Sequence, residues 1–241
     1  MVRFINASVF IGAVIILLFA AGSVFASEPA ASVSQEHTVE SPDGRVHVKC
    51  KMLEGTLNYS VWRDYSGDRS TCLIDWSPLG LQLEGDENAY VFDSPDYFQL
   101  IQGASCDEEW TPVFDRASSI RNQYNEAFVH SDMDAPSHVC IVMLIRVYND
   151  GVAIRYHLLS GTKRTLRVEA DLTEFRFAKD YTTWNYAGER TPAGPNLLSE
   201  LRGTVRPPVT IVTDDDCSMA LLEAALFNFD DMDLKPTTPG G

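Results

Sequence analysis

Basic residues are scarce in this chain. Nineteen lysines and arginines stand against 34 aspartates and glutamates in 241 residues, a formal net charge of −15 at pH 7. Binding to nucleic acid requires clustered Lys and Arg to neutralise phosphates, so this balance disfavours nucleic acid and anionic membranes; neutral ligands such as sugars remain compatible with it. Cysteine is sparse too. Cys50, Cys72, Cys106, Cys140 and Cys217 are scattered without C-x-x-C spacing, which argues against a zinc or redox motif. Their odd count leaves at least one thiol unpaired within the chain. The five histidines (37, 47, 130, 138, 157) form no H-x-x-x-H or H-E-x-x-H group. A G-x-S-x-G elbow, a Gly-rich phosphate loop and a Cys–His nucleophile signature are all missing. So is any long apolar pattern with a 3.6-residue period.

One long apolar run exists, Val9 to Ala21, shorter than the roughly 18–20 residues a membrane-spanning helix needs. Arg3 precedes it, and Ser23-Val24-Phe25-Ala26 follows as a small-x-small cleavage site. Residues 1–26 therefore read as a signal peptide, which places the mature product in the periplasm or outside the cell with no membrane anchor. Residues 27–36 read as a disordered lead-in, 37–235 as one β domain and 236–241 as a linker-like tail.

What fills 37–235 is strand grammar. Ser41-Pro42-Asp43-Gly44 is a turn by chemistry, proline setting φ and glycine supplying the positive-φ place. Val46, Val48, Cys50 and Met52 alternate with Arg45, His47, Lys49 and Lys51, and Leu57, Tyr59 and Val61 alternate in their turn: two half-buried strands. Cys140–Tyr148 and Val152–Leu158 flank Asn149-Asp150-Gly151, a hairpin signal centred on Asp-Gly. A long strand is expected from Thr165 to Ala178. A last hairpin is expected from Val209–Val212 and Met219–Leu226 around Asp214-Asp215-Asp216. Residues 181–208, rich in Pro, Gly and Asn, read as an irregular segment. The spacing predicts an all-β antiparallel sandwich.

Several segments in order resemble the N-terminal domain of glycoside hydrolase family 97. They are Ser41-Pro-Asp-Gly44, Gly55-Thr-Leu-Asn-Tyr-Ser-Val61, Ser77-Pro-Leu-Gly-Leu81, Trp110-Thr-Pro-Val113, Asn122-Gln-Tyr-Asn-Glu126, Arg146 to Tyr156, Glu169 to Phe177, Glu223-Ala-Ala-Leu226 and Met232-Asp-Leu-Lys235. The resemblance implies a galactose-mutarotase-like β-supersandwich that packs against a (β/α)8 barrel. The barrel cleaves α-glucosidic or α-galactosidic bonds and supplies the acid and the base or nucleophile. It also implies a calcium ion at the domain interface, to which this domain lends one glutamate. Trp184-Asn-Tyr-Ala-Gly-Glu-Arg-Thr-Pro192 occupies the corresponding place, which makes Glu189 the counterpart, although Ala187-Gly188 separates Tyr186 from it and Ala193-Gly-Pro195 looks inserted.

No barrel follows Lys235. The chain is thus expected to be a truncated or stand-alone accessory domain that binds carbohydrate and carries no catalytic residue. The alternative is an autonomous mutarotase-like or minimal glycosidase enzyme built on Glu126, Glu189 and Glu223. Glycosidases need two carboxyl groups about 5 Å or roughly 6.5–9.5 Å apart, and with 34 acidic residues some pair meets either distance by chance. Asp107-Glu108-Glu109 and Asp214-Asp215-Asp216 read as solvated loops, the latter lacking the central glycine of a calcium loop. Tyr124-Asn125-Glu126 sets an amide and a carboxylate beside a ring, the chemistry of sugar hydroxyls and sugar faces. Its plainer reading is a strand with Tyr124 in the core and Glu126 in solvent. Trp110 and Trp184 are candidate sugar platforms, or tryptophans packed in the sandwich. Asn58-Tyr59-Ser60 is a formal glycosylation sequon within an expected strand.

Overall fold

The computed structural model describes residues 3–5, 36–66, 69–84, 89–91, 99–114, 116–132, 139–160, 166–186, 192–213, 217–226 and 230–237. Among them the regular structure is all β apart from one 3₁₀ turn, Leu198–Glu200. Every strand pairing is antiparallel, as the alternation predicts.

Four sheets of four strands make the domain. The first runs β2 (His37–Glu40), β3 (Val46–Leu53), β4 (Thr56–Tyr65), β5 (Arg69–Pro78) in chain order. The second is β11 (Val152–Ser160), β10 (Val139–Tyr148), β9 (Ile120–Asp132), β8 (Gln99–Trp110). The third joins β1 (Arg3–Ile5), β12 (Leu166–Asp171), β6 (Leu81–Glu84) and β7 (Ala89–Val91). The fourth is β14 (Pro192–Leu197), β13 (Thr182–Tyr186), β15 (Arg206–Val212) and β16 (Ser218–Leu221). Apart from β1, residues 1–35 lie outside the described residues, and with them most of the expected leader.

The main core forms where the first three sheets face one another. Val48, Cys50, Leu57 and Tyr59 point inward from β3 and β4, and Ala127, Val129, Ile141, Met143, Ile145 and Val147 from β9 and β10. Leu81, Leu83 and Val168 close the layer. Burying a side chain such as Met143 or Ile145 is worth about 1.5–3 kcal/mol against leaving it in water. A second cluster, Tyr181, Val205, Val209 and Ile211, lies under the fourth sheet, and Phe177 packs against both.

Several expectations hold in detail. In the Ser41–Gly44 turn, Val46 N donates to Ser41 Oγ at 2.9 Å and Gly44 takes a φ of 69°. The β10–β11 hairpin closes with Tyr148 N donating to Gly151 O at 2.8 Å, so its central residues are Asn149 and Asp150, one place earlier than an Asp-Gly centre. Four cysteines, Cys50, Cys72, Cys106 and Cys217, are free thiols; nothing is described for the Cys140 side chain. Asn58 is buried in β4 and donates to Thr56 O, so the sequon is closed to modification in the folded domain.

Three expectations change. The strand expected to reach Ala178 stops at Asp171, whose Oδ1 accepts Thr173 N at 3.0 Å and turns the chain. The following segment crosses to β5 instead. Tyr59 Oη donates to Glu174 O at 3.0 Å, and Asp75 bridges Arg176, which leaves Phe175 and Phe177 on the core. Likewise β16 ends at Leu221 rather than Leu226, and Ala225 has a positive φ of 54°. Finally, the segment read as irregular, 181–208, holds β13, β14 and the start of β15. Two of its four prolines are accommodated by a bulge: between Trp184↔Thr210 and Tyr186↔Arg206 the register skips, and Pro207-Pro208 sits in that gap.

Candidate functional site

The sequence candidates do not lie on one surface. Trp110 ends β8 and is half exposed; beyond it Val113 and Phe114 are almost fully exposed. Tyr124 is buried in β9, its ring 5.2 Å from that of Tyr148 and 4.3 Å below the Arg146 guanidinium. Glu126 is not the solvated carboxylate of its plainer reading. Its side chain is 13% exposed and accepts Arg146 Nε at 2.6 Å. Asn125 points to the opposite face, where both ends of its amide are engaged: Ser105 Oγ donates to Oδ1 at 2.7 Å, and Nδ2 donates to Glu40 O at 2.8 Å. Asn125 lines a cleft of about 310 Å³ with Pro42, Ser105, Cys106, Asp107 and Gln123.

The acidic cluster on β8 is spent on its own hairpin. Arg121 grips Asp107 through Nε and Nη2, both at 2.7 Å, and holds that carboxyl below the usual aspartate range. Asn122 donates to Glu108, and Ser119 to Glu109. Glu223 accepts Met232 N. Asp214-Asp215-Asp216 lies outside the described residues. An unengaged pair of carboxylates facing one cleft is not present among the described residues named in the alternative, enzymatic reading.

Trp184 stands on the fourth sheet, on a face that sequence reasoning did not foresee. Thr183 and Asn185 point inward and are buried, while Trp184 and Tyr186 point outward with 46% and 38% exposure. Thr182 pairs with Leu197 on one side and Val212 on the other, so these two, both about 40% exposed, share the outward face with Trp184 and Tyr186. The signal was the alternation Thr182–Tyr186, hidden inside a stretch whose prolines and glycines read as loop.

Beside that face, under the end of β13, is a second cleft of about 150 Å³, lined among others by Asn185, Tyr186, Asn196, Glu200, Arg202 and Thr204. Asn185 is 5% exposed and its Oδ1 has no hydrogen-bond partner.

Glu189 lies outside the described residues, and among those described no group of three or more His, Cys, Asp or Glu side chains could hold a metal. One glutamate does not make a calcium site, which takes six to eight oxygens.

Comparisons with known proteins agree with this architecture. The family model described as glycosyl-hydrolase 97 N-terminal matches residues 39–240. Among solved structures, a glycoside hydrolase family 97 enzyme from Pseudoalteromonas sp. strain K8 is similar in its complexes with panose and with acarbose. Each superposes with a TM-score of 0.69 at 22% identity, covering 85% of this chain. A β-arabinopyranosidase follows with a TM-score of 0.61, 19% identity and 77% coverage. In each case the match spans 31% of the solved chain. The chain belongs to the glycosyl-hydrolase 97 N-terminal family.

Proposed function

We propose that this domain is the non-catalytic, carbohydrate-binding accessory part of an exported α-glycoside hydrolase, and that it packs against a (β/α)8 catalytic region through the outer face of its fourth sheet. One observation carries the docking part of the reading. Trp184, Tyr186, Leu197 and Val212 stand half exposed together on one sheet face. Single exposed apolar residues need no explanation, but four on one face form a patch of the kind that marks an interaction surface. The solved relatives support the choice of partner, since about two-thirds of each of their chains lies outside the match.

Carbohydrate binding is supported by the panose and acarbose held by the similar enzyme, and α-glucosides or α-galactosides are the ligands to try first. Calcium enters the proposal only through Glu189, as one carboxylate in a site whose other ligands the catalytic region would supply. Export rests on residues 1–26, and N-terminal sequencing of the secreted protein should then start at Ser27.

Activity is the test. The chain alone should not hydrolyse aryl α-glucosides or aryl α-galactosides, whereas a polypeptide carrying this domain and the barrel should, and Trp184→Glu should weaken their association. Turnover by the chain alone would overturn the accessory reading.

A further inference from the structure

The cleft beside Asn185 differs from the larger one beside Asn125 in a way that bears on ligand binding. In the larger cleft the Asn125 amide and the Asp107 carboxylate already have protein partners, Ser105 Oγ, the Glu40 carbonyl and the Arg121 guanidinium. At Asn185 one acceptor has none. Asn185 belongs to β13 and points inward, yet its Oδ1 finds no donor in the protein. A buried acceptor left unpaired costs about 1–3 kcal/mol, a cost that a hydrogen-bonding ligand or water removes.

The rest of the lining narrows the chemistry. Glu200 brings a carboxylate, one oxygen of which accepts Leu197 N at 2.9 Å. Arg202 brings a guanidinium, anchored by its Nη1 to the carbonyls of Ser199 and Leu201 at 2.6 and 2.8 Å. Asn196 and Thr204 add an amide and a hydroxyl. A cation would meet one carboxylate and a guanidinium, a net charge near zero. An anion would meet the same pair from the other side. A neutral polyhydroxyl compound meets acceptors and donors in alternation. A hydroxyl also satisfies the Asn185 amide in either orientation, because it both donates and accepts. At about 150 Å³ the cleft is smaller than the roughly 300–1,000 Å³ of sites for drug-sized ligands, so it suits one sugar ring rather than an oligosaccharide.

We propose that the cleft formed by Asn185, Asn196, Glu200, Arg202 and Thr204 binds a single pyranose ring through its hydroxyls, with Asn185 Oδ1 accepting from one of them. This rests on the carbohydrate-binding part of the proposed function and gives it a place, on the inward side of the sheet whose outer face carries Trp184. Neither Trp184 nor any other platform considered from the sequence takes part.

The test is a side-chain amide NMR titration of the protein with D-glucose and, separately, with calcium chloride. Saturable shifts of the Asn185 and Asn196 side-chain signals with glucose are expected, with affinity in the millimolar range. The Asn196 shift should vanish in Asn185→Leu while the backbone spectrum keeps its native dispersion; if the leucine form fails to fold, Asn185→Asp, which keeps an acceptor, should retain the Asn196 shift, and its loss there would overturn the site. Saturable shifts only elsewhere, around Trp184 for example, would place sugar binding on another surface and overturn this site but not the carbohydrate reading. No saturable shift anywhere would overturn both. Shifts of Asn185 with calcium and not with glucose would reassign the cleft to a cation and overturn the proposal.

Discussion

Arg146 covers the ring of Tyr124 at 4.3 Å while donating to Glu126 at 2.6 Å, so one guanidinium holds both the ring and the carboxylate of the Tyr124-Asn125-Glu126 triplet. Glu126 stands opposite Arg146 in the β9–β10 register, and its side chain is largely withdrawn from water. The two partners are therefore unequal. Arg146→Ala leaves a mostly buried carboxylate unpaired and uncovers the Tyr124 ring. It should cost about 2–3 kcal/mol, whereas Glu126→Gln keeps the packing and should cost about 1 kcal/mol. In urea denaturation the double variant should lose less than the sum of the two; a strictly additive result would show that the pair does not act as a unit.

The free thiols are separated by burial. Cys50 is fully buried in β3, and burial alone pushes its thiol up to about 12; partial burial, with Asp75 nearby, pushes Cys72 up to about 11. Because the thiolate is the nucleophile, iodoacetamide at pH 8 should leave Cys50 unmodified in the native protein and label it once the chain is unfolded. Cys106 and Cys217, both partly exposed, should react first in peptide mapping. Early native labelling of Cys50 would contradict its place in the core.

His157 sets an acid-side dependence. Its pKa is lowered from 6.5, first by desolvation and then by the positive charges of Arg155 and Arg146, against an opposing pull from Glu126. In the unfolded chain the imidazole protonates near 6.5, and in the folded one at lower pH. Between those values the unfolded state binds more protons, so stability should fall as pH drops below about 6.5 and level off below the folded pKa. His157→Gln should flatten that part of the stability–pH curve measured by thermal unfolding. An unchanged slope would put its origin elsewhere.

The main sandwich was legible because its strands obey period two, one face facing the core. Val46–Met52 is the plainest case, buried at Val46, Val48 and Cys50 and partly covered between. Asn58 and Ser60 break that rule, being buried on the face that alternation assigns to solvent. The outer face of the first sheet is roofed by its own side chains, with Trp62 Nε1 donating to Ser60 Oγ at 3.1 Å and Lys51 lying 3.8 Å over Trp76. Cross-strand cover of this kind is set by tertiary contacts and leaves no local period. The β15–β16 hairpin of the fourth sheet was expected, but its β13–β14 half escaped notice for a different reason. Its strands are short and interrupted by a bulge at Pro207-Pro208 and by Gly194-Pro195, so turn-forming residues outnumber the alternating ones. The candidate site lies on that sheet, which is why Trp184 was readable as a residue and its neighbours Tyr186, Leu197 and Val212 were not readable as a surface.

Gly194 is the residue on which that sheet turns. Its φ of 137° is a conformation that other residues rarely adopt, and a Cβ there would lie 2.7 Å from Thr183 O and 3.1 Å from Trp184 Cε3. Both obstacles belong to β13, the strand that carries Trp184 outward and Asn185 inward, and the first is backbone that cannot step aside. Gly194→Ala should therefore push β14 off β13. We expect a loss of about 2 kcal/mol or more, combining strain at a special backbone angle with overpacking, and an altered Trp184 environment in fluorescence. Gly151→Ala is the control. It also sits at a turn, but its Cβ meets nothing within 4 Å and its φ is not in the positive region, so the change should stay within about 0.5 kcal/mol. Equal effects at the two positions would mean that the β13–β14 contact does not hold the fourth sheet in register, and would remove the support for both its outer face and its cleft.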